Sequence, residues 1–544
     1  MEDTIKFENI TFKYKERKIL KMVSGTIRKN RLTAIMGPSG SGKTTLLKIF
    51  SGRMNEKYKG AIYYNNEIMS NSNLKDLSVL VHQNDLLNPF LTVEETIKFS
   101  ADLRSKGKDV VDKEMKKLGL YDIKESLIGN SFKGISGGER KRVSIAKELV
   151  GNPNILFLDE PTSGLDCMRA LKLIEYLESM KNHKTIVATI HQPSSEIFFK
   201  FDDLLLIKDG KIIYNGEIGN IMLYFSNLGY NFPQYSNPAD YILTHILPQI
   251  DHNSIGISYE FFKLIPNKEI KSYNQINLFH QIKILLNREM KINKRNKMKA
   301  VASFFQTFIF IWILGTIFYD IPSKNYIFHI KNVSGFFYFL SLQRLLVPSS
   351  NVVNNLYINL DLCKREIESR YYTPDSLFFS RIIFDILYNI IHPIILVTST
   401  YYLVLYPLYS YKQFFILLFC ILFINIIGIS FGLLFSSISP SFKISRIISS
   451  SLFMILNLIS GINVDTYSLI YPIRMLQYIS PMRYSYNILI KNHFKYKKTG
   501  IVNMDLLIEW PININTSFLI LFLIMCFNVF IAKLFFRRKF IDYI

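Results

Sequence analysis

Residues 32–44 read Leu32-Thr33-Ala34-Ile35-Met36-Gly37-Pro38-Ser39-Gly40-Ser41-Gly42-Lys43-Thr44, and this stretch decides the fold of the N-terminal half. The apolar run Leu32–Met36 predicts a buried strand. Gly37 to Thr44 is a full G-x-x-x-x-G-K-T loop, and residues 45–50 predict a helix opening at Thr45. Glycines let backbone N–H groups of the loop, including those of Ser39, Gly40 and Ser41, turn towards phosphates without a Cβ clash. Lys43 supplies a point charge to the β- and γ-phosphates, and Thr44 offers its hydroxyl to Mg2+. The helix N-terminus adds its dipole. The implied cofactors are ATP and Mg2+, and the implied fold is an α/β P-loop nucleotide hydrolase.

A second short apolar run, residues 155–158, ends in Asp159-Glu160. A buried parallel strand delivers carboxylates at its C-terminal end in this way. Behind a P-loop, Asp159 is expected to hold Mg2+ and Glu160 to polarise the attacking water.

Further along stands Ser136-Gly137-Gly138-Glu139-Arg140. On this segment the chain resembles the ABC ATPases. The resemblance implies a helix opening at Ser136 whose N-terminus, with Gly137, Gly138 and Glu139, meets the γ-phosphate of ATP held by the other subunit. It also implies roles for other positions. Gln83 matches the glutamine that senses Mg2+ and faces the membrane domain. Ser163-Gly164-Leu165-Asp166 matches the D-loop. His191, after the apolar run 185–190, matches the switch histidine. Tyr14 sits where the family places an aromatic on adenine, with Phe12 close by. All these motifs being intact, a homodimer could build two complete sites. An obligate heterodimer with a paralogue is the alternative, and a non-transporting membrane ATPase that regulates a partner is a third reading.

The closer resemblance is to subfamily G, half-transporters that place the ATPase ahead of the membrane domain. The stretches 91–104 (LTVEETIKFSADLR), 135–150 (ISGGERKRVSIAKELV) and 190–198 (IHQPSSEIF) carry it, together with the domain order. It implies ATP-driven export or translocation of a hydrophobic or amphipathic substrate: a lipid, a sterol or a drug-like molecule.

Composition agrees with a membrane-embedded second half. The chain has 544 residues, 49% hydrophobic, and apolar residues crowd after about residue 300. Its net charge of +22 would suit nucleic acid, but the basic residues gather at span ends, in 291–299, 364–370 and 537–539. Membrane proteins carry such clusters on the cytoplasmic side, so no nucleic-acid partner is expected. The expected organisation is a nucleotide-binding domain over 1–245, a linker over 246–275, an amphipathic connecting helix over 276–299 and an all-α transmembrane domain over 300–544. Six spans are expected, near 300–319, 333–353, 377–404, 413–437, 446–464 and 516–536. Residues 465–515 are then external, while the ATPase domain and the C-terminus are cytoplasmic. No N-terminal secretory signal is visible, so the first span is expected to direct insertion. None of the four cysteines falls in the expected external loops, so no structural disulfide is expected.

In the connecting helix, Leu278, Ile282, Leu285, Leu286 and Met290 are expected to form the apolar face, opposite Lys283, Arg288, Lys291, Lys294 and Arg295. Polar residues within spans carry the functional signal: Gln343, Arg344, Asp385, His392, Asn425 and Asn457. Arg344 is expected to face Asp385 or to line a central cavity. The family resemblance places substrate along 342–347 and 452–461, with Gly461, Ile462 and Asn463 near its gate. It also makes Arg365 and Glu366 candidates for coupling ATPase to membrane domain; a plain cytoplasmic anchor is the other reading.

Overall fold

The computed structural model describes residues 4–130, 133–234, 236–250, 276–319, 326–406, 410–462, 464, 470–494 and 512–541. The chain forms two compact units. One comprises Met1–Asn277 with Arg365–Tyr372 and Tyr543–Ile544; the other comprises Leu278–Lys364 with Thr373–Asp542.

The first unit is α/β. Its strands are β1 (Thr4–Tyr14), β2 (Arg17–Arg28), β3 (Leu32–Met36), β4 (Lys59–Tyr64), β5 (Glu67–Ile68), β6 (Ser78–Val81), β7 (Ile155–Asp159), β8 (Thr185–Thr189), β9 (Asp203–Lys208) and β10 (Lys211–Glu217). An antiparallel sheet runs β2-β1-β4-β5, and a six-stranded sheet runs β10-β9-β3-β8-β7-β6. Within the second sheet, β9, β3, β8, β7 and β6 are parallel. Every residue of β3, β7 and β8 is buried, which explains their unbroken apolar character. In a parallel sheet the chain leaves each carboxyl end on the same edge. That edge therefore receives Gly37 after β3, His191 after β8, Glu160 after β7 and Gln83 after β6. Helix α1 (Lys43–Phe50) follows the Gly-rich loop, α2 (Gly137–Leu149) follows Ser136, and α3 (Cys167–Met180) follows Asp166.

The core of this unit runs past the expected boundary at 245. Ile246, Leu247 and Ile250 are buried in the same cluster as Leu32 and Leu158. The rest of the expected linker, 251–275, lies outside the described residues.

The second unit is all-α. Its principal helices are α4 (Leu278–Arg295), α5 (Lys297–Ile317), α6 (Tyr326–Ile358), α7 (Pro374–Leu405), α8 (Tyr411–Ile438), α9 (Phe442–Leu458), α10 (Pro481–Phe494) and α11 (Ile514–Arg538). Among the described residues, four are long and apolar enough to cross a membrane: α5, α7, α8 and α11. The expected spans 333–353 and 446–464 fall on α6 and α9. Helix α6 is long enough at 33 residues, but Gln343, Arg344 and its asparagines dilute its apolar character. Helix α9 has 17 residues and ends at Leu458. Phe305, Phe308 and Trp312 on α5, Phe415 and Phe419 on α8, and Phe527 and Phe530 on α11 are exposed. Aromatic surfaces of this kind suit lipid rather than water.

The packing corrects two expectations, the buried face of the connecting helix and the pairing of Arg344 with Asp385. The connecting helix buries Gln281, Leu285, Arg288, Glu289 and Ile292, while Met290 is exposed. Polar contacts set that face: Gln281 accepts from the Thr373 N–H (3.0 Å) and the Ser376 hydroxyl (2.8 Å), and Glu289 pairs with Arg381 at 3.3 Å. In the expected external segment, α10 is buried along most of its length in the helical core, against α6, α8 and α11. Residues 465–469 and 495–511, also in that segment, lie outside the described residues, as does Asn463. Finally, Arg344 does not pair with Asp385. Its one hydrogen bond among the described residues is to Gln343, and Asp385 accepts from Asn355 at 3.4 Å.

Two features fix the helix packing. A Cβ on Gly428 of α8 would lie 2.5 Å from the Leu345 carbonyl oxygen of α6, and one on Gly432 would lie 2.7 Å from that of Ser349. This G-x-x-x-G face is what lets the two helices touch. In α7, Pro393 lacks the N–H that would bond the Asn389 carbonyl. The Asn425 amide of α8 takes its place, donating to that carbonyl at 3.3 Å.

Candidate functional site

The Gly-rich loop closes around its own lysine. Lys43 Nζ donates to the carbonyls of Gly37 (2.8 Å) and Pro38 (3.0 Å). Burial pulls its ammonium below the ordinary value, with Glu160 and then Asp159 acting the other way. Gly37 has φ +154, and a Cβ there would lie 2.0 Å from the Ile207 carbonyl oxygen, so only glycine fits. The Ser41 hydroxyl is buried with no hydrogen-bond partner among the described residues. Pro38, Ser39, Gly40 and Thr44 are exposed, Gly42 sits at the N-cap of α1, and Thr45 lies in its first turn. An ammonium and an orphan hydroxyl inside an accessible loop at a helix N-terminus fit a phosphate chain.

Around this loop stand the carboxylates. The Thr44 hydroxyl donates to Asp159 Oδ1 at 3.0 Å. The Gln83 amide donates to Glu160 Oε2 at 2.7 Å. Glu160 adopts φ +47, a left-handed backbone unusual for glutamate. The structure thus brings Lys43, Thr44, Gln83, Asp159 and Glu160 together. His191 is exposed beyond the end of β8. Tyr14 is exposed at the end of β1, with the Lys15 ammonium 6.0 Å from its ring, whereas Phe12 belongs to the core. Of the two aromatics, Tyr14 is the one a base could reach.

The segment Ser136 to Glu139 is not joined to the loop. Ser136 caps α2: its hydroxyl accepts from the Glu139 N–H at 3.4 Å, and the Glu139 carboxylate accepts from the Ser136 N–H and hydroxyl at 2.8 Å. Burial alone would raise the Glu139 carboxyl, but those hydrogen bonds bring it below the usual value. Glu139 is therefore committed to the cap. Gly137 is exposed and Gly138 is packed under Leu165. Asp166 caps α3 through the Arg169 N–H at 2.9 Å. Among the described residues, none of these groups hydrogen-bonds the Gly-rich loop.

Two residues that the motifs did not single out join the site, and a third anchors the segment Arg365–Tyr372 beside the signature helix. Thr189, fully buried, donates its hydroxyl to Asp159 Oδ1 and accepts the Glu160 N–H, both at 2.8 Å. Its one sequence signal is a hydroxyl at the C-terminal end of a strand whose interior, Ile186 to Ala188, is apolar. Lys141, on α2, donates to the carbonyls of His82 (3.1 Å) and Gln83 (2.7 Å) and pairs with Asp85 at 3.1 Å. Arg365 donates to the next carbonyl, that of Asn84. Three successive carbonyls are thus held by two cations, one from the signature helix and one from the segment Arg365–Tyr372. His82 lies among them, pushed down to about 3 by burial and then by Arg365, Arg53, Lys48 and Lys141. Glu366 accepts from the Tyr372 hydroxyl at 2.7 Å and lies 3.6 Å from the Lys147 ammonium. The third is Tyr371: its ring lies under the Arg104 guanidinium at 4.4 Å, and its hydroxyl donates to the Lys147 carbonyl at 3.1 Å.

Comparison with known proteins agrees with this architecture. A family described as ABC transporter matches residues 20–163, and families described as ABC-2 type transporter match residues 280–494 and 191–269. The ABC transporter G family member 21 of Arabidopsis thaliana is 30% identical over 553 residues, covering 89% of this chain and 81% of that protein. The broad substrate specificity ATP-binding cassette transporter ABCG2 of Bos taurus is 30% identical over 532 residues, covering 88% and 81%. The ABC transporter G family member 7 of Dictyostelium discoideum is 31% identical over 516 residues, covering 88% of this chain and 62% of that one. With its nucleotide-binding unit ahead of its membrane helices, the chain belongs to subfamily G of the ABC transporters.

Proposed function

We propose that the chain is a homodimeric half-transporter that moves a lipid, a sterol or another amphipathic molecule out of or across a membrane. ATP hydrolysis coupled to transport and a multi-pass membrane domain follow from the family. The observation that carries the dimer is the separation within one chain. Lys43, Thr44, Asp159 and Glu160 form one half of a site, while Gly137 stands exposed at the N-terminus of α2, free to meet nucleotide on a twin.

In this reading Lys43 and the loop N–H groups bind the phosphates, and the Tyr14 ring stacks on the base. Thr44 and Asp159 hold Mg2+, which neutralises phosphate charge when bound. Gln83 orients the Glu160 carboxylate, and Glu160 aligns the attacking water and takes its proton. His191 contacts the terminal phosphate. Closure of two ATPase units over ATP favours one membrane conformation, because ATP binds that state better. The ATPase unit and the basic C-terminal residues Arg537, Arg538 and Lys539 face the cytoplasm. The exposed aromatic surfaces of α5, α8 and α11 support a lipid-facing location for these helices.

The test is ATP hydrolysis by the chain purified alone in lipid, with Glu160→Gln beside it. Activity in the wild type and a loss of at least about 100-fold in the variant supports the homodimer. Stimulation by added sterols or phospholipids then sorts substrates. ATP binding without hydrolysis would replace the homodimer by a heterodimer with a paralogue.

A further inference from the structure

We propose that Thr189 is a positioning residue for hydrolysis, its single hydroxyl setting the geometry of Asp159 and Glu160 together. The proposal rests on the reading that these carboxylates serve the metal and the attacking water.

The sheet itself makes the contact. Strands β7 and β8 pair in parallel with Asp159 opposite Thr189, and residues so paired share a face of the sheet. A hydroxyl has one hydrogen to give and lone pairs to accept with. Thr189 gives its hydrogen to Asp159 Oδ1 and accepts the Glu160 N–H, each at 2.8 Å. Thr44 donates to the same Oδ1 at 3.0 Å. One oxygen of Asp159 is thereby fixed from two sides, by the phosphate-loop helix and by β8. Oδ2 has no hydrogen bond among the described residues.

Glu160 needs holding for another reason. Its φ of +47 is a conformation that side chains disfavour. Such a backbone persists only where its surroundings over-determine it. Thr189 grips its N–H from β8, and Gln83 grips its carboxylate at 2.7 Å from the end of β6. Loss of the hydroxyl releases the backbone that aims the Glu160 carboxylate and one of the two donors that fix Asp159. Valine has the same outline without the hydroxyl, while serine keeps the hydroxyl and drops a methyl.

The experiment measures steady-state ATP hydrolysis, nucleotide binding and Mg2+ dependence of the full chain in lipid. It compares wild type, Thr189→Val, Thr189→Ala, Thr189→Ser and Glu160→Gln. Thr189→Val and Thr189→Ala are expected to lower kcat about 10- to 100-fold, as a misplaced reacting group does. Their KM for ATP and ATP affinity should stay within about twofold, because the phosphate loop is untouched. The Mg2+ concentration for half activity should rise several-fold. Thr189→Ser should stay within about threefold of wild type in kcat. Wild-type kcat in Thr189→Val overturns the proposal whatever Glu160→Gln does. Loss of ATP binding together with kcat, unrelieved by serine, overturns it in favour of a structural role. Full activity in Glu160→Gln with loss in Thr189→Val overturns the assignment of Glu160 and leaves Thr189 acting through Asp159.

Discussion

Arg53 in the ATPase unit and Arg344 in the helical unit are both nearly fully buried guanidinium groups, and they are held very differently. Arg53 donates to the carbonyls of Ser51 (2.8 Å) and Ser78 (3.0 Å). A turn leaves carbonyls open in an α/β fold, and a buried cation closes them. Arg344 sits within a helix, where carbonyls are bonded to their own chain; Pro348 frees only the carbonyl of Arg344 itself. Its one hydrogen bond among the described residues is to Gln343, the adjacent side chain. The Gln343 amide nitrogen and the Asn457 carbonyl oxygen are also buried without partners among the described residues. A helix that satisfies its own backbone leaves a carbonyl open only where it ends or where proline breaks it. Asn425 shows this: it bonds the one carbonyl that Pro393 sets free. Backbone geometry fixes the ATPase unit; closeness of approach fixes the helical one.

The substitution that tests this contrast most severely is Gly428→Leu. The Leu345 carbonyl oxygen stands 2.5 Å from any Cβ placed there, and the Pro348 ring 2.7 Å. A backbone atom in a packed helix cannot rotate away, so α6 and α8 must separate. The expected cost exceeds about 3 kcal/mol, the upper end for overpacking. Most of the protein should be lost from the monodisperse peak on size exclusion in detergent. Gly335→Ala, also on α6, is the control. Its Cβ would meet the Phe318 ring at 3.4 Å, an ordinary contact, and it should elute as wild type. Equal behaviour of the two variants would refute the packing argument.

Lys141→Met tests the ATPase side at smaller cost. The variant frees the carbonyls of His82 and Gln83 and strands Asp85, while the side chain stays long and apolar. Expected is a fall in kcat for ATP of about tenfold, on the order of 1.4 kcal/mol, with KM changed less than twofold. Lys141→Arg should recover part of the rate. A rise in KM at unchanged kcat would place Lys141 in nucleotide binding instead.

Legibility in the sequence follows the same divide. The P-loop, the carboxylate pair and the capped α2 are contiguous strings whose residue types dictate their geometry. Thr189 and Lys141 were not legible, because their partners lie 30 and 58 positions away. Strand register and helix rotation bring them together, and neither is written in a local motif. The face of α4 was misread for a similar reason. Its apolar stripe is real, but Gln281 and Glu289 bind α7 and rotate Met290 outwards. The segment 465–515 reads as external from the span count, and nothing in that count shows that Arg483, Asn487 and Asn492 of α10 are buried. Their partners, Gln477, the Ser517 hydroxyl and the Gln413 carbonyl, become visible only once the helices are packed.

The smallest effect is expected at His82, and it has a definite sign. Burial and the surrounding cations carry its imidazole from 6.5 to about 3. The 3.9 Å approach of Glu368 is therefore not an ion pair at neutral pH. A histidine with a depressed folded pKa binds its proton more readily when unfolded. Its contribution to stability is thus complete above about pH 6.5 and declines as pH falls towards 3, by at most about 1.4 kcal/mol per unit. Glu368 works in the opposite direction, since burial raises its carboxyl and protonation then favours the folded state. Melting curves of the full chain in detergent at pH 7.5 and 5.5 separate the two. Glu368→Gln should enlarge the acid-induced fall in Tm. His82→Gln should shrink it by roughly 1–3 °C, the shift expected of about 1 kcal/mol in a chain of this size. An unchanged fall in His82→Gln would mean that His82 takes up its proton without unfolding. The cations gathered on the carbonyls of His82, Gln83 and Asn84 would then be too well screened to act as a single electrostatic unit.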